Sequence, residues 1–234
     1  MPANAPRMRS ERSRVDSVFA QLREDILSGR LAPGIKLSFP SLSQRYAASV
    51  GVTREALSRL SEQGLVVAEP QVGYHVPPVS REGLIDLTLA RCEIEGAAIA
   101  ASVKHGDLGW ESRVVASHYT IERTPVWDDD SRQTVSAGWS ALHADFHVAL
   151  IEACPSRRLV DIAASLRDAA EIYRSWSHGV SLNVEHRDFT GEHQSIKEAA
   201  LDRDADTASL LLKDHLQRTA DLLLEHLREH VEVG

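Results

Sequence analysis

The sequence predicts a mainly α protein in two parts, an N-terminal winged helix-turn-helix followed by a C-terminal antiparallel all-α helical bundle. Three observations carry this. Two short helical stretches separated by a tight break lie early in the chain, and two short β-prone stretches follow them. From Leu84 onward, helical periodicity runs almost unbroken to the end. The charge divides near the same boundary: residues 1–80 hold 10 Lys and Arg against 7 Asp and Glu, net +3, and residues 81–234 hold 16 against 27, net −11.

The 234 residues suffice for two domains, each with its own core. A hydrophobic fraction of 43% and a charged fraction of 26% are ordinary for a globular chain, and no apolar run approaches the ~20 residues that span a bilayer. The opening MPANAPRMRSERSR is basic but leads into no apolar segment, so a secretory leader is not expected, no membrane partner is expected, and the chain is placed in the cytoplasm. Cys92 and Cys154 lack metal-knuckle or disulfide spacing and read as small core residues of a reducing compartment.

The expected organisation is a flexible basic tail over 1–14, a winged helix-turn-helix over 15–78, a linker over 79–83 and a helical domain over 84–231. Val15, Val18, Phe19, Leu22, Ile26 and Leu27 form one helix face, and Gly29 stops that helix. Pro33-Gly34 marks a turn into a short extended stretch. A short helix is expected from about Ser41 to Ala47, then a break near Ser49, then a second helix to about Gln63. In that helix Thr53, Ala56, Leu57 and Leu60 form the inward stripe, which leaves Val50, Gly51, Arg54 and Ser58 outward, where a major groove could receive them. Ser49 suits the N-cap, beside which a phosphate could sit. Leu65–Ala68 and Gly73–Val76 read as a hairpin wing that includes His75, and Pro77-Pro78 as a stiff exit.

The runs LREDILSGRLAPGIKL, LSQRYAASVGVTREALSRLSEQGLV and GYHV resemble, in order, the N-terminal domain of the GntR family of bacterial regulators. The resemblance implies that the helix opening near Ser49 reads double-stranded operator DNA, with Arg54 and wing residues around Gly73 touching it. Arg45 and Arg59 are further DNA-binding candidates, and a solvated helix face is the alternative for all three arginines. Val50 departs from the pattern, because the family commonly has arginine there. Arginine can grip guanine bidentately, whereas valine offers only apolar contact.

In the second part, helices are expected over Leu84–Ser102, Trp110–Arg123, Ser131–Cys154, Leu159–His178, Glu192–Leu201 and Ala205–His230, with breaks at Gly106, Pro125, Pro155, Gly179 and the LDRDAD turn. Asp128-Asp129-Asp130 reads as a capping turn. Four of the eleven histidines are selected by geometry. His143 and His147, four apart, share a helix face; His193 and His215 flank the turn near Arg203 at similar distances, which places them at one height on antiparallel neighbours. Imidazoles suit a divalent transition metal, Zn or Ni foremost, better than Mg or Ca. Surface histidines without a ligand are the alternative reading of the HxxxH pair alone.

The stretches RCEIEGAAIAAS, HADFHVALIEAC and EHQSIKEAALDRDADTASLLLKDHL resemble the FCD effector domain of the FadR-type branch of that family, and RYAASVGVTREALSRL, HADFH and EIYR look most like its carbon-starvation-induced repressor subgroup. The resemblance implies a metal held by one aspartate and three histidines. His147, His193 and His215 stand at the histidine positions, and His143 stands at the aspartate. A four-imidazole site lacks an anionic ligand, which favours an anionic effector. The subgroup hints at a dicarboxylate. Arg91 matches an arginine of the domain motif and could clamp a carboxylate, or equally pair with Glu95; Arg174 is a second effector candidate.

The expectation is a homodimeric DNA-binding regulator, not an enzyme, that represses from a pseudo-palindromic operator and is released by a small organic acid at the histidine site. Three alternatives stand beside it. A metal hydrolase would need glutamate at the second position of HxxxH, where Ala144 stands. The ion could itself be the signal, or it could be purely structural.

Overall fold

The computed structural model of the protein describes residues 5–127, 135–177 and 187–231. It separates into two compact units, Met1–Val79 with Glu171–Trp176, and Ser80–Ala170 with Ser177–Gly234.

In the first unit, α1 (Ala5–Leu27) is followed by β1 (Lys36–Leu37), α2 (Phe39–Arg45), α3 (Val50–Glu62), β2 (Val67–Glu69) and β3 (Gly73–His75). The segment expected as a basic tail is helical from Ala5, ten residues ahead of Val15. Pro6 falls in the first turn, where its missing N–H costs nothing, and the Arg, Met and Glu after it extend a helix readily once packing has nucleated it. Ser38 caps α2 by accepting from Ser41 N at 3.4 Å, and Ser49 caps α3 by accepting from Val52 N at 3.3 Å. Between them Ala47 takes φ 48°, the tight break of the helix-turn-helix. Gly64, at φ 75°, closes α3 as Leu65 N donates to Leu60 O at 3.0 Å, a Schellman closure that needs the left-handed residue.

The wing gains a strand over the expected hairpin. The order is β1-β3-β2, antiparallel throughout, with Lys36 and Val67 both opposite His75. Val18, Leu22 and Ile26 of α1 meet Leu42, Tyr46, Ala56, Leu57, Leu60, Leu65 and Val76 in one buried cluster. Beside it Asp25, 7% exposed, accepts from Tyr46 Oη at 2.6 Å and pairs with Arg30 Nε at 2.6 Å and Arg45 Nη2 at 2.7 Å. Burial alone would raise the Asp25 pKa, but the hydrogen bonds from Tyr46 and Arg30 and the charge of Arg45 hold it below the usual range.

The second unit holds α4 (Arg81–His105), α5 (Leu108–Glu122), α6 (Ala137–Ile151), α8 (Phe189–Leu201), α9 (Ala205–Val231) and most of α7 (Arg157–Ser177). The expected helix start at Ser131, the capping role of Asp128–Asp130 and the break at Gly179 lie outside the described residues. Antiparallel neighbours α4 and α9 pair most extensively, α5 lies on α6 and α8, and α8 on α9. The approach of α4 to α9 uses Gly96, whose carbonyl accepts from Ser209 Oγ at 3.0 Å. Trp110, Phe146, Ile99, Leu150, Ile196 and Leu212 fill the core. The α8–α9 turn is pinned by Arg203, itself at φ 62°, which donates to the carbonyls of Val103 and Gly106 at 2.8 Å each and pairs with Glu111. Among the described residues no helix is long and apolar enough to cross a membrane.

Candidate metal centre and nucleic-acid interface

The four selected histidines come together. His143 and His147 project from α6, His193 from α8 and His215 from α9, and one ring nitrogen from each lies within 4.8 Å of the others. Four nitrogens each about 2.1 Å from a tetrahedral ion would be about 3.4 Å apart, so the widest pair must draw in by about 1 Å for the cluster to close. Nε2 atoms of His143 and His147 stand 3.1 Å apart. His147, His193 and His215 are buried, and His143 is half-buried beneath the Trp139 ring, stacked at 4.8 Å. Phe146 packs edge-on against both His147 and His193.

The electrostatics suit a cation ligand set. Burial, then the neighbouring imidazoles, pushes His147 well below the usual histidine range, and burial brings His193 down to about 3. Burial lowers His215 as well, against the opposing pull of its bond to Glu192. These three rings are therefore neutral at pH 7, with lone pairs available. Nε2 of His193 is buried without a hydrogen-bond partner among the described residues, which is costly unless something electrophilic meets it. The donor set fits a transition metal.

Glu192 and Arg187 belong to the site and were not singled out from sequence. Glu192 Oε2 lies 2.8 Å from His215 Nδ1, and Arg187 holds the same carboxylate through Nη2 at 2.6 Å while donating to His215 O at 2.9 Å. Burial would raise the Glu192 pKa, but bonds from His215 and Arg187 bring it to about 2. Glu192 is adjacent to His193 in sequence, yet its partner is His215, 23 residues away; only the pairing of α8 with α9 exposes that relationship. His118 on α5, buried against Phe146 at 5.5 Å between centroids, was also missed, since a single histidine on an apolar face carries no spacing pattern.

Arg91 is buried, and its Nε bonds Glu95 Oε1 at 2.7 Å, so the ion-pair alternative describes its present state. Its charge still reaches His147 and His215, contributing to their lowered pKa values. Arg167 Nη1 stands 3.9 Å from Glu95 Oε2. Arg174 pairs with Glu171, and both fall in the segment grouped with the first unit rather than with the histidines.

On α3 the inward stripe Thr53, Ala56, Leu57 and Leu60 is fully buried, and Val50, Gly51 and Arg54 share the exposed side. Arg54 lies over the Phe39 ring at 5.2 Å. The other candidate arginines are engaged inside the unit: Arg45 with Asp25, and Arg59 with Asp16 at 2.7 Å and with the Phe19 ring at 4.4 Å. Ser49 serves as cap at the exposed helix start. Gly73, at φ 110°, and His75 lie on the wing strand β3.

Comparison with known proteins finds two matching families. The FCD domain family matches residues 86–218, and the family described as bacterial regulatory proteins, gntR family, matches residues 14–76. The chain is 35% identical over 212 residues to the HTH-type transcriptional regulator BphR of Paraburkholderia xenovorans, covering 91% of this chain and 86% of that protein. It is 34% identical over 197 residues to the HTH-type transcriptional repressor GlaR of Escherichia coli, covering 83% and 89%. Its fold is shared with E. coli McbR/YncC at a TM-score of 0.73 and 16% identity, covering 91% and 98%, and with a GntR regulator from Rhodococcus sp. RHA1 at 0.71 and 24%, with the same coverage.

Proposed function

Because the chain belongs to the GntR family of transcriptional regulators, in the branch carrying an FCD domain, and that family comprises DNA-binding regulators rather than enzymes, we propose a specific division of labour. The first unit reads a pseudo-palindromic operator as half of a homodimer in the cytoplasm. The second unit holds a divalent transition metal, Zn or Ni, on His143, His147, His193 and His215, and binds a small organic acid beside it. Acid binding releases the repressor.

The observation that carries the reading is the cluster of four imidazoles, three of them buried and neutral. A divalent ion there would supply positive charge that no protein ligand cancels, which selects an anion. Arg91 suits a second carboxylate. Glu95 now occupies it, and leaving that buried guanidinium bare would be expensive, so the incoming group must itself be anionic. A dicarboxylate meets both demands. Binding can act on DNA only by favouring one arrangement of the dimer over another.

On the DNA side, the exposed face of α3 supplies Val50, Gly51 and Arg54, with Ser49 at the helix start and Gly73 and His75 on the wing. Arg54 is the base-reading arginine, while Arg45 and Arg59 position the helix against α1 and meet phosphate at most. The test is a gel shift on DNA upstream of the protein's own coding region, at moderate salt, with and without metal and a series of mono- and dicarboxylates. Binding that a dicarboxylate relieves only in the metal-loaded protein is expected. Failure to bind would overturn the DNA reading. Affinity that follows metal and ignores every acid would make the ion itself the signal.

A further inference from the structure

We propose that Glu192 is the positioning residue of the metal centre, setting which nitrogen His215 offers. The proposal rests on the metal reading above.

His215 is buried and sits among the other three imidazoles, its centroid 4.8 Å from His193, 5.1 Å from His147 and 6.1 Å from His143. Its Nδ1 is 2.8 Å from Glu192 Oε2, well inside the 3.3 Å to Arg187 Nη2, whose shorter bonds go to Glu192 Oε2 and His215 O, so the carboxylate is the partner that decides. A carboxylate only accepts, so the neutral ring must carry its proton on Nδ1, and Nε2 is left as the lone-pair nitrogen. Without Glu192 a neutral imidazole is free to place the proton on Nε2, and moving it back to Nδ1 before ligation would cost affinity.

Glu192 is itself held. Arg187 reaches both of its oxygens, through Nε at 2.9 and 3.2 Å and Nη2 at 2.6 Å, and also donates to Thr219 Oγ1 at 2.9 Å and to His215 O at 2.9 Å. The carboxylate thus cannot rotate away from α9, and the guanidinium ties it to the helix that bears its histidine. Side chains of Arg187 and Glu192 are 9% and 13% exposed, so solvent competes weakly for these bonds. An orienting carboxylate of this kind raises the basicity of its histidine and typically accounts for 10–100-fold in metal affinity. The carboxylate of this site stands behind one histidine, its charge matched by Arg187, so an ion held by the four imidazoles would still select an anion.

The experiment uses the full chain and three readouts. In the metal-free protein, two-bond 15N–1H correlation spectra of the histidine rings should show His215 as the Nδ1–H tautomer, and Glu192→Gln should shift it toward a mixture. Zinc and nickel affinity, measured by competition with a chromophoric chelator, should fall about 10-fold or more in Glu192→Gln and recover partly in Glu192→Asp. The Co(II) absorption spectrum should change shape in Glu192→Gln. If Glu192→Gln only lowers the melting temperature, leaving tautomer, affinity and Co(II) spectrum as in the wild type, Glu192 is a structural ion-pair partner and the proposal is wrong. If the wild type shows the Nδ1–H tautomer but takes up none of these metals, the metal reading has failed and the proposal falls with it.

Discussion

Asp25 and Glu192 are buried or nearly buried carboxylates, each gripped by arginine and by one further ring-bearing side chain, yet they do different things. Asp25 gathers Tyr46, Arg30 and Arg45, and all three bonds end within the helix-turn-helix unit. Its product is a tie between α1 and the end of α2. Glu192 gathers Arg187 and His215, and His215 has a second nitrogen facing a site. The same chemistry is structural where every partner is saturated and functional where one partner passes the interaction on. A carboxylate's role is thus read from what lies beyond its partner.

The sharpest way to break that comparison is acid. His147, His193 and His215 stay neutral in the fold below their ordinary value of 6.5, so the unfolded chain binds protons that the metal-free fold refuses. Stability is unaffected by these rings above pH 6.5 and is lost as pH falls below it, for His193, held at about 3 in the fold, at about 1.4 kcal/mol per pH unit. Asp25 has its pKa lowered from 3.8, so its contribution is full above about pH 4 and is lost only below that. Urea melts of metal-free protein between pH 8 and 5 should therefore show the helical bundle weakening from pH 6.5 downward while the N-terminal unit holds. Parallel loss in both units would contradict the assignment.

Next in size is Asp25→Asn. It removes the charge that holds Arg30 and Arg45, whose side chains are 48% and 41% exposed, so the cost is discounted from that of a fully buried pair to about 1–2 kcal/mol. Calorimetry should register this as a lower melting temperature of the first unit, with zinc affinity unchanged. A change in zinc affinity would mean the two carboxylates are not separable in role. The smallest effect on stability is expected for Val50→Arg, within about 0.5 kcal/mol because the side chain is 47% exposed. Its effect on recognition should be larger. Selection from randomised operators should gain guanine at the contacted position, worth about 1–3 kcal/mol of discrimination. An unchanged selected sequence would remove Val50 from the interface.

The helices were legible because periodicity, caps and breakers agree: Ser49 caps where expected, and the stripe from Thr53 to Leu60 is buried as the spacing requires. The histidine cluster was legible because i,i+4 spacing and a symmetric turn are local geometry. What stayed hidden depends on contacts across elements. β1 is two residues long and forms only because β3 supplies a partner. Arg45 and Arg59 carry the composition of a basic face, but Asp25 and Asp16 on α1 engage them. Glu192 looked like a helix-start acid until α9 brought His215 to it.

The turn between α8 and α9 adds a constraint on length. Arg203 anchors it to carbonyls at the end of α4, so slippage at the turn cannot absorb an added or deleted residue. One residue inserted between Asp202 and Ala205 would turn His215 by about 100° around its helix and shift it by about 1.5 Å, carrying it off the face shared with His193. The loop's length is therefore as much a determinant of the coordination sphere as the ligands themselves, and variants of this protein should tolerate substitution there far better than insertion.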